Sequence, residues 1–176
     1  NPPMLLRPGS ITPEEIMRYI PDLTLSEAVK NKLPDGAKAE SPGMLHRHYA
    51  PIAETEGVKG SSVRAAVYIN ENIINSGKKC GVMCFDGEEK LYLSSAIVMS
   101  YGKESVPEDR AAKMFDVLRQ LDLLGLEKIF VRIEDDGGVG LAVFNRLLRA
   151  CEFNITDADP MPAVFGVTGL SGAGKT

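Results

Sequence analysis

Chemistry in this chain concentrates in two short stretches. The first is Ser41-Pro42-Gly43-Met44-Leu45-His46-Arg47-His48-Tyr49-Ala50-Pro51, which holds both histidines of the protein. Proline fixes φ and pushes the residue before it towards extended geometry. The prolines at 42 and 51 therefore predict an extended segment. In an extended chain alternate side chains share a face. His46 and His48 then point one way, and Arg47 and Tyr49 the other. Three readings fit these residues: a solvated linker, half of a His-x-His metal site, and an anion clamp of Arg47, the imidazoles and the Tyr49 hydroxyl. Two histidines do not complete a zinc shell. Composition does not choose between linker and clamp.

The second stretch is Gly169-Leu170-Ser171-Gly172-Ala173-Gly174-Lys175-Thr176, which matches the P-loop pattern in full. In such a loop the backbone N–H groups wrap phosphates, Lys175 reaches the outer phosphates and Thr176 ligates magnesium. The run 163–168 before it reads as a strand. Gly169, Gly174, Lys175 and Thr176 are thus candidate nucleotide-binding residues. The motif reads as the start of a further domain, a nucleoside-triphosphatase or small-molecule kinase. Without the helix that follows such a loop, tight nucleotide binding is not expected here.

A third glycine-rich site, Gly137-Gly138-Val139-Gly140, fails the dinucleotide fingerprint because Val143 stands at the last position. The acids Glu134, Asp135 and Asp136 precede it and would repel phosphate. Its glycines read as permitting a tight strand-to-helix turn, with a partner-binding loop as the alternative. Cys80, Cys84 and Cys151 fit neither a zinc ribbon nor a redox Cys-x-x-Cys and read as buried, reduced thiols. No serine lies in a nucleophile elbow. Arg110, Arg146 and Arg149 read as solvated or helix-pairing side chains.

These stretches must be held by ordinary elements. The 176 residues have room for one domain and some extra, with 44% hydrophobic and 25% charged residues. A net charge of -4 argues against binding nucleic acid by electrostatics alone. No apolar run approaches the roughly 18 to 20 residues of a membrane span. The amino terminus shows no signal pattern, and the absence of an initial Met suggests a fragment or a processed chain. Thr12-Pro13-Glu14-Glu15 is a capping box with proline at the first helical position, which predicts a helix to about Ile20. Residues 21–62 lack a sustained period and read as a long linker. From there the pattern predicts a helix over 62–75, strands over 79–85 and 96–100, a helix over 107–124, a strand over 128–134, a helix over 137–152, and a further short strand from Ile155. That rhythm is the rhythm of a mainly parallel sheet with helices on both faces. The expectation is an α/β, small Rossmann-like three-layer domain over 61–158, preceded by a helix and a long linker.

Three blocks carry a resemblance. Leu6-Arg7-Pro8-Gly9 with Ile11-Thr12, then Pro42-Gly43-Met44 with Arg47-His48-Tyr49-Ala50-Pro51, then Gly138-Val139-Gly140-Leu141-Ala142 with Asn145-Arg146-Leu147, stand in the order and spacing of the two-domain threonylcarbamoyl-AMP synthases. The chain resembles that family over residues 4–153. Leu45 departs from the basic residue usual at its position, which removes one expected positive contact, and the P-loop motif is not ordinarily part of the family. The resemblance implies that residues 1–20 are the tail of a YrdC-like catalytic domain, 21–62 an interdomain linker that serves as active-site lid, and 61–158 a Rossmann-like domain; the motif at 169–176, read by itself, makes 159–176 the start of a P-loop domain. It implies that the parent enzyme converts threonine, bicarbonate and ATP, with Mg2+, into threonylcarbamoyl-AMP and pyrophosphate for tRNA modification in the cytoplasm. It matches Arg7 to a nucleotide-contacting arginine and places His46, Arg47, His48 and Tyr49 over the substrate. Most catalytic residues of the family would lie upstream, so this stretch alone would be inactive and hold no cofactor tightly. Neither a nucleic acid nor a membrane is an expected direct partner. The alternatives from other classes are an interaction module, whose Rossmann-like domain docks a protein partner, and the amino-terminal part of a P-loop kinase.

Overall fold

Cys80-Gly81-Val82-Met83-Cys84 contains no charged residue, which suits a strand covered on both faces. It is β4 (Cys80–Cys84), and every residue in it is buried. The computed structural model describes residues 2–32, 50–134 and 137–160. Around β4 run β3 (Glu54–Lys59), β5 (Ile97–Ser100), β6 (Lys128–Arg132) and β7 (Ile155–Asp157). They form a five-stranded sheet in the order β5-β4-β6-β3-β7, with every neighbouring pair parallel. The helices are α2 (Ser62–Ser76), α3 (Pro107–Leu123) and α4 (Val139–Ala150). The expected α/β architecture is therefore present, and the sheet is wholly parallel.

Connectivity decides which face each helix covers. From β3 the chain passes α2 and moves one way along the sheet, to β4. From β5 and from β6 it passes α3 and α4 and moves the other way. Right-handed crossovers then put α2 on one face and α3 with α4 on the other. Alternation along the strands matches. Val58, Val82 and Phe130 pack with Ala65, Ala66 and Ile69 of α2, whereas Met83, Ile129 and Val131 pack with Leu118, Leu121 and Leu147 of α3 and α4. Cys80 and Cys84 share the α2 face and Cys151 lies in the other core; all three are free, buried thiols. Burial pushes the Cys84 thiol up to about 12, so it is a thiol rather than a thiolate at neutral pH.

The sheet starts earlier than residue 61. Glu54-Thr55-Glu56-Gly57-Val58-Lys59, inside the stretch read as linker, is the strand between β6 and β7. Its sequence has no apolar run because two of its residues are carboxylates answered from neighbouring elements. Glu54 pairs with Lys78 and Glu56 with Lys128. The Tyr68 and Thr156 hydroxyls also donate to Glu56. Gly57 leaves room for the Ile155 and Ile133 side chains, which a Cβ would meet at 2.5 and 2.8 Å.

Residues before the sheet are also ordered by it. β1 (Met4–Leu5) and β2 (Thr24–Leu25) pair in parallel. The capping box forms as expected, with Thr12 N–H donating to Glu15 at 2.8 Å, and starts α1 (Pro13–Met17). A 3-10 turn at Glu27–Val29 lies on α4: Asn145 Nδ2 donates to the Val29 carbonyl at 2.6 Å and Arg149 Nη2 to the Ala28 carbonyl at 3.2 Å. Between β4 and β5 lies a 3-10 turn at Glu89–Leu91.

The carboxyl-terminal edge of the sheet is tied by a buried ion pair. The Arg132 side chain is wholly buried and its Nε lies 3.2 Å from both oxygens of Glu88. Nη1 and Nη2 donate to the Val58 and Gly60 carbonyls at 2.9 and 2.7 Å. Removing one partner of a buried pair leaves the other charge uncompensated, at a cost of about 3–5 kcal/mol. Glu88→Ala should therefore lower stability by about that amount, read as the shift in a urea-unfolding midpoint. A loss under about 1 kcal/mol would refute the role of the pair.

Glu56 supplies a pH signature. Burial alone would raise its pKa, but Lys128, Tyr68 and Thr156 together hold it below the ordinary 4.5. The unfolded chain then binds more protons than the folded one as pH falls through and below 4.5, so this stability is present above that value and lost below it. Glu56→Gln should be less stable at neutral pH and lose less stability on acidification. Urea midpoints measured between about pH 6 and pH 3 read both effects.

Candidate functional site

In open parallel sheets ligands bind outside the carboxyl ends of the strands, where neighbouring strands send their connections in opposite directions. Here β6 sends its connection one way and both of its neighbours, β3 and β4, send theirs the other, so the crevice lies at the end of β6. Its groups are turned towards the protein. Arg132 fills it from β6 with its hydrogen bonds to Val58 and Gly60. At the start of α2, where a helix N-terminus would favour a phosphate, the Asp159 carboxylate accepts from the Ser61 N–H and hydroxyl, each at 2.9 Å. Those two bonds, the backbone one first, hold Asp159 below the usual carboxylate range. The chain's own anion thus occupies the position of a ligand phosphate.

The Gly137-Gly138 turn also has an internal partner. Gly138 takes φ 58° and ψ -132° at the start of α4, a conformation that favours glycine. The first turn of α1 lies against it: Thr12 Cγ2 and Glu14 Oε1 are each 3.9 Å from the positions a Cβ would take at Gly138 and Gly137. The Glu14 carboxylate is held below its ordinary value, first by its own backbone N–H, then after the opposing effect of burial by Thr12 and by the Gly138 N–H. The turn is therefore a docking point for the amino-terminal segment.

The charge of Arg7, in the same amino-terminal segment, is felt at α4. Arg7 follows β1 and is exposed, while Arg146 and Arg149, one helical turn apart on α4, are half-buried. Burial, and after it the positive charge of Arg7, lower the pKa of both α4 arginines. The Arg146 Nη1 is bound to the Ala142 carbonyl at 3.0 Å. Arg149 lies 5.9 Å from the Phe153 ring centroid as well as bonding to Ala28. Both α4 arginines, read as solvated or helix-pairing side chains, are half-buried, and Arg146 bonds within its own helix. Arg110 departs further from that expectation: it is wholly buried, 5.4 Å from the Phe85 ring centroid.

Of the residues singled out by sequence, Arg7 is within the described structure. His46, Arg47, His48 and Tyr49 lie outside the described residues, as do Gly169, Gly174, Lys175 and Thr176. The chain on either side of the histidine stretch is anchored to the same face of the sheet. Before it, Ala28 and Val29 bond to α4. After it, the Ile52 and Ala53 N–H groups donate to Asp122 Oδ1 of α3 at 2.8 and 3.3 Å. Among the described residues no group of three His, Cys, Asp or Glu side chains could hold a metal ion, and no helix is long and apolar enough to cross a membrane.

The family described as threonylcarbamoyl-AMP synthase, C-terminal domain, matches residues 11–151. A threonylcarbamoyl-AMP synthase of Pyrococcus abyssi (strain GE5 / Orsay) is 38% identical over 160 residues, 88% of this chain and 44% of that protein. One from Bacillus subtilis (strain 168) is 35% identical over 148 residues, 84% of this chain and 41% of its own length. This chain thus spans less than half the length of the curated relatives it matches. Among solved structures, P. abyssi Sua5 complexed with L-threonine has a TM-score of 0.72 at 34% identity, covering 88% of this chain and 44% of that one. A P. abyssi Sua5 variant with alanine in place of a histidine and the tyrosine numbered next to it has a TM-score of 0.73 at 35% identity, covering 88% and 43%. The family match over residues 11–151, the identity to these relatives along most of the chain and the likeness in fold lead to one conclusion: the chain belongs to the threonylcarbamoyl-AMP synthase C-terminal domain family.

Proposed function

We propose that this chain is the linker and C-terminal portion of an L-threonylcarbamoyladenylate synthase acting in tRNA threonylcarbamoyladenosine synthesis in the cytoplasm. The family match along residues 11–151 carries the reading. The relatives named for that activity, one of them solved with L-threonine, support it. In the reaction the threonine amine attacks the carbon of bicarbonate and water is lost, giving a carbamate. A carbamate oxygen then attacks the α-phosphorus of ATP, the bond to the β-phosphate oxygen breaks, and pyrophosphate leaves. Mg2+ would offset phosphate charge in the parent enzyme, and the described residues of this chain hold no carboxylate cluster for it.

The chain's own contribution is positioning. Arg7 takes the role of a nucleotide-contacting cation. His46, Arg47, His48 and Tyr49 cover the phosphates and the labile intermediate, and their segment is tethered through residues 28–29 to α4 and through residues 52–53 to α3. Excluding water protects a mixed anhydride from hydrolysis and strengthens each charge-assisted bond. The acidic Rossmann-like unit acts as the frame for these tethers. Gly169, Gly174, Lys175 and Thr176 belong, in this reading, to a separate nucleotide-binding unit.

The test uses a protein that includes the YrdC-like catalytic domain. Pyrophosphate release from ATP should require both threonine and bicarbonate. It should survive Lys175→Ala and fall about 10-fold or more in His48→Ala, as expected for the loss of a group that positions or protects a reacting centre. Release that ignores threonine, or that disappears with Lys175, would overturn the assignment. Full activity in His48→Ala would remove the lid role alone.

A further inference from the structure

We propose that the free edge of β5 is a self-association surface, on which a second copy of this chain pairs its own β5 antiparallel across a two-fold axis. An open sheet has two edge strands, and each offers unpaired backbone groups to another strand. Here the edges are β5 and β7. The two differ in how they are protected. β7 is three residues long, ends in Asp157, and is followed by Asp159, whose N–H donates to Asp157 Oδ1 at 3.0 Å. Shortness and charge are means by which native edges avoid further pairing. β5, Ile97-Val98-Met99-Ser100, contains no charged residue, proline or glycine. The uncharged run extends from Leu91 to Gly102. All four β5 residues are only half-buried.

The register of the sheet fixes which groups this edge offers. The Tyr101 N–H donates to the Cys84 carbonyl of β4 at 3.1 Å. Along an extended strand, successive residues turn their N–H and C=O to opposite sides. Ile97 and Met99 therefore turn theirs to β4, and Val98 and Ser100 turn theirs outwards. β5 ends the sheet, so the backbone groups of Val98 and Ser100 have no strand partner among the described residues. A two-fold axis at Met99 sets Val98 of one copy against Ser100 of the second, where each exchanges an N–H and a C=O. The symmetry-related pair repeats the exchange. Met99 then stands opposite itself in the closer, non-hydrogen-bonded kind of pair. On the Met99 face of the sheet Ile97, Ala111 and Phe115 are partly buried apolar neighbours, and on the other face Leu93 and Val98 are. Pairing covers this rim further. With no charge between residues 91 and 102, no like charges come opposite one another along the paired strands. The occupant is a second copy because the donor and acceptor pattern of the edge and its neutrality are both symmetric about Met99.

Sedimentation equilibrium of this chain, from low micromolar to near-millimolar concentration, reads the association. A reversible dimer is expected, weak as small interfaces are. Ser100→Pro removes an outward N–H and leaves the bonds between β5 and β4 in place, and edge strands accommodate proline at such positions. It deletes one backbone bond from each symmetry-related pair and should weaken association about 10-fold or more. Met99→Cys should form a disulfide between two copies under mild oxidation, because the opposed Cα atoms of such a pair lie within disulfide reach. Cys80, Cys84 and Cys151 are buried and should stay unreacted. Ser94→Cys, well away from the axis, should give no cross-link. A chain that is monomeric at every concentration overturns the proposal. So does a dimer that Ser100→Pro leaves unchanged, or one that Met99→Cys fails to cross-link. Should Ser100→Pro not fold, the contrast between Met99→Cys and Ser94→Cys carries the test.

Discussion

The buried pair of Arg132 and Glu88 is the constraint on which the carboxyl-terminal edge of the sheet depends. A guanidinium taken wholly out of water must have its donors met. Here Glu88 meets one side of it and the Val58 and Gly60 carbonyls the other. Those four groups come from the loop after β4, from β3 and the residue that follows it, and from the end of β6. The Tyr101 hydroxyl joins the same node by donating to the Arg132 carbonyl at 2.7 Å, and Tyr92 joins through Glu88 at 3.1 Å. Burial first, and then the Glu88 charge, push the Tyr92 phenol up, so it stays a neutral donor. The two strands that send their helices in opposite directions are locked together at the place where related folds leave room for a ligand.

That lock explains the division of labour in the molecule. With Arg132 in the crevice and Asp159 on the amino end of α2, the Rossmann-like unit directs its own charges inwards at the usual ligand position. The surface that receives the rest of the chain is instead the face made by α3 and α4. α4 holds the turn at Ala28–Val29, Asp122 of α3 holds Ile52–Ala53, and the Gly137-Gly138 turn receives α1. A parallel sheet with helices on both faces is stiff, because its strands are buried on both sides. It is well suited to fix the points from which the segment between residues 29 and 52 departs and returns.

Much of the Rossmann-like unit was legible in the residues. α2, α3 and α4 carry apolar side chains at helical spacing, and β4 and β6 are short apolar runs, so each declares its own period. The capping box at Thr12 and Glu15 was legible for the same reason: its signal is local. β3 was not. Glu54 and Glu56 make it look like a solvated linker, and only Lys78, Lys128, Tyr68 and Thr156, each distant along the chain, make those carboxylates acceptable in a sheet. Arg110 and Arg132 were hidden similarly. Their burial depends on Phe85, Glu88 and the Val58 and Gly60 carbonyls, which no spacing rule connects to them.

By itself, the sequence determined the elements with local periods, the α/β class they imply, the three blocks that carry the family resemblance, and the inert character of the cysteines in apolar runs. It could do so because periodicity, capping and motif spacing are encoded within a few residues of one another. Tertiary structure alone decided that β3 lies between β6 and β7, that the ligand crevice is filled by the chain's own side chains, and that Arg149 reaches the Ala28 carbonyl. Each of those outcomes depends on charges brought together from residues far apart in the chain. Whether a charge is solvated, paired or clustered is settled by its neighbours in space, and the order of residues along the backbone does not state them.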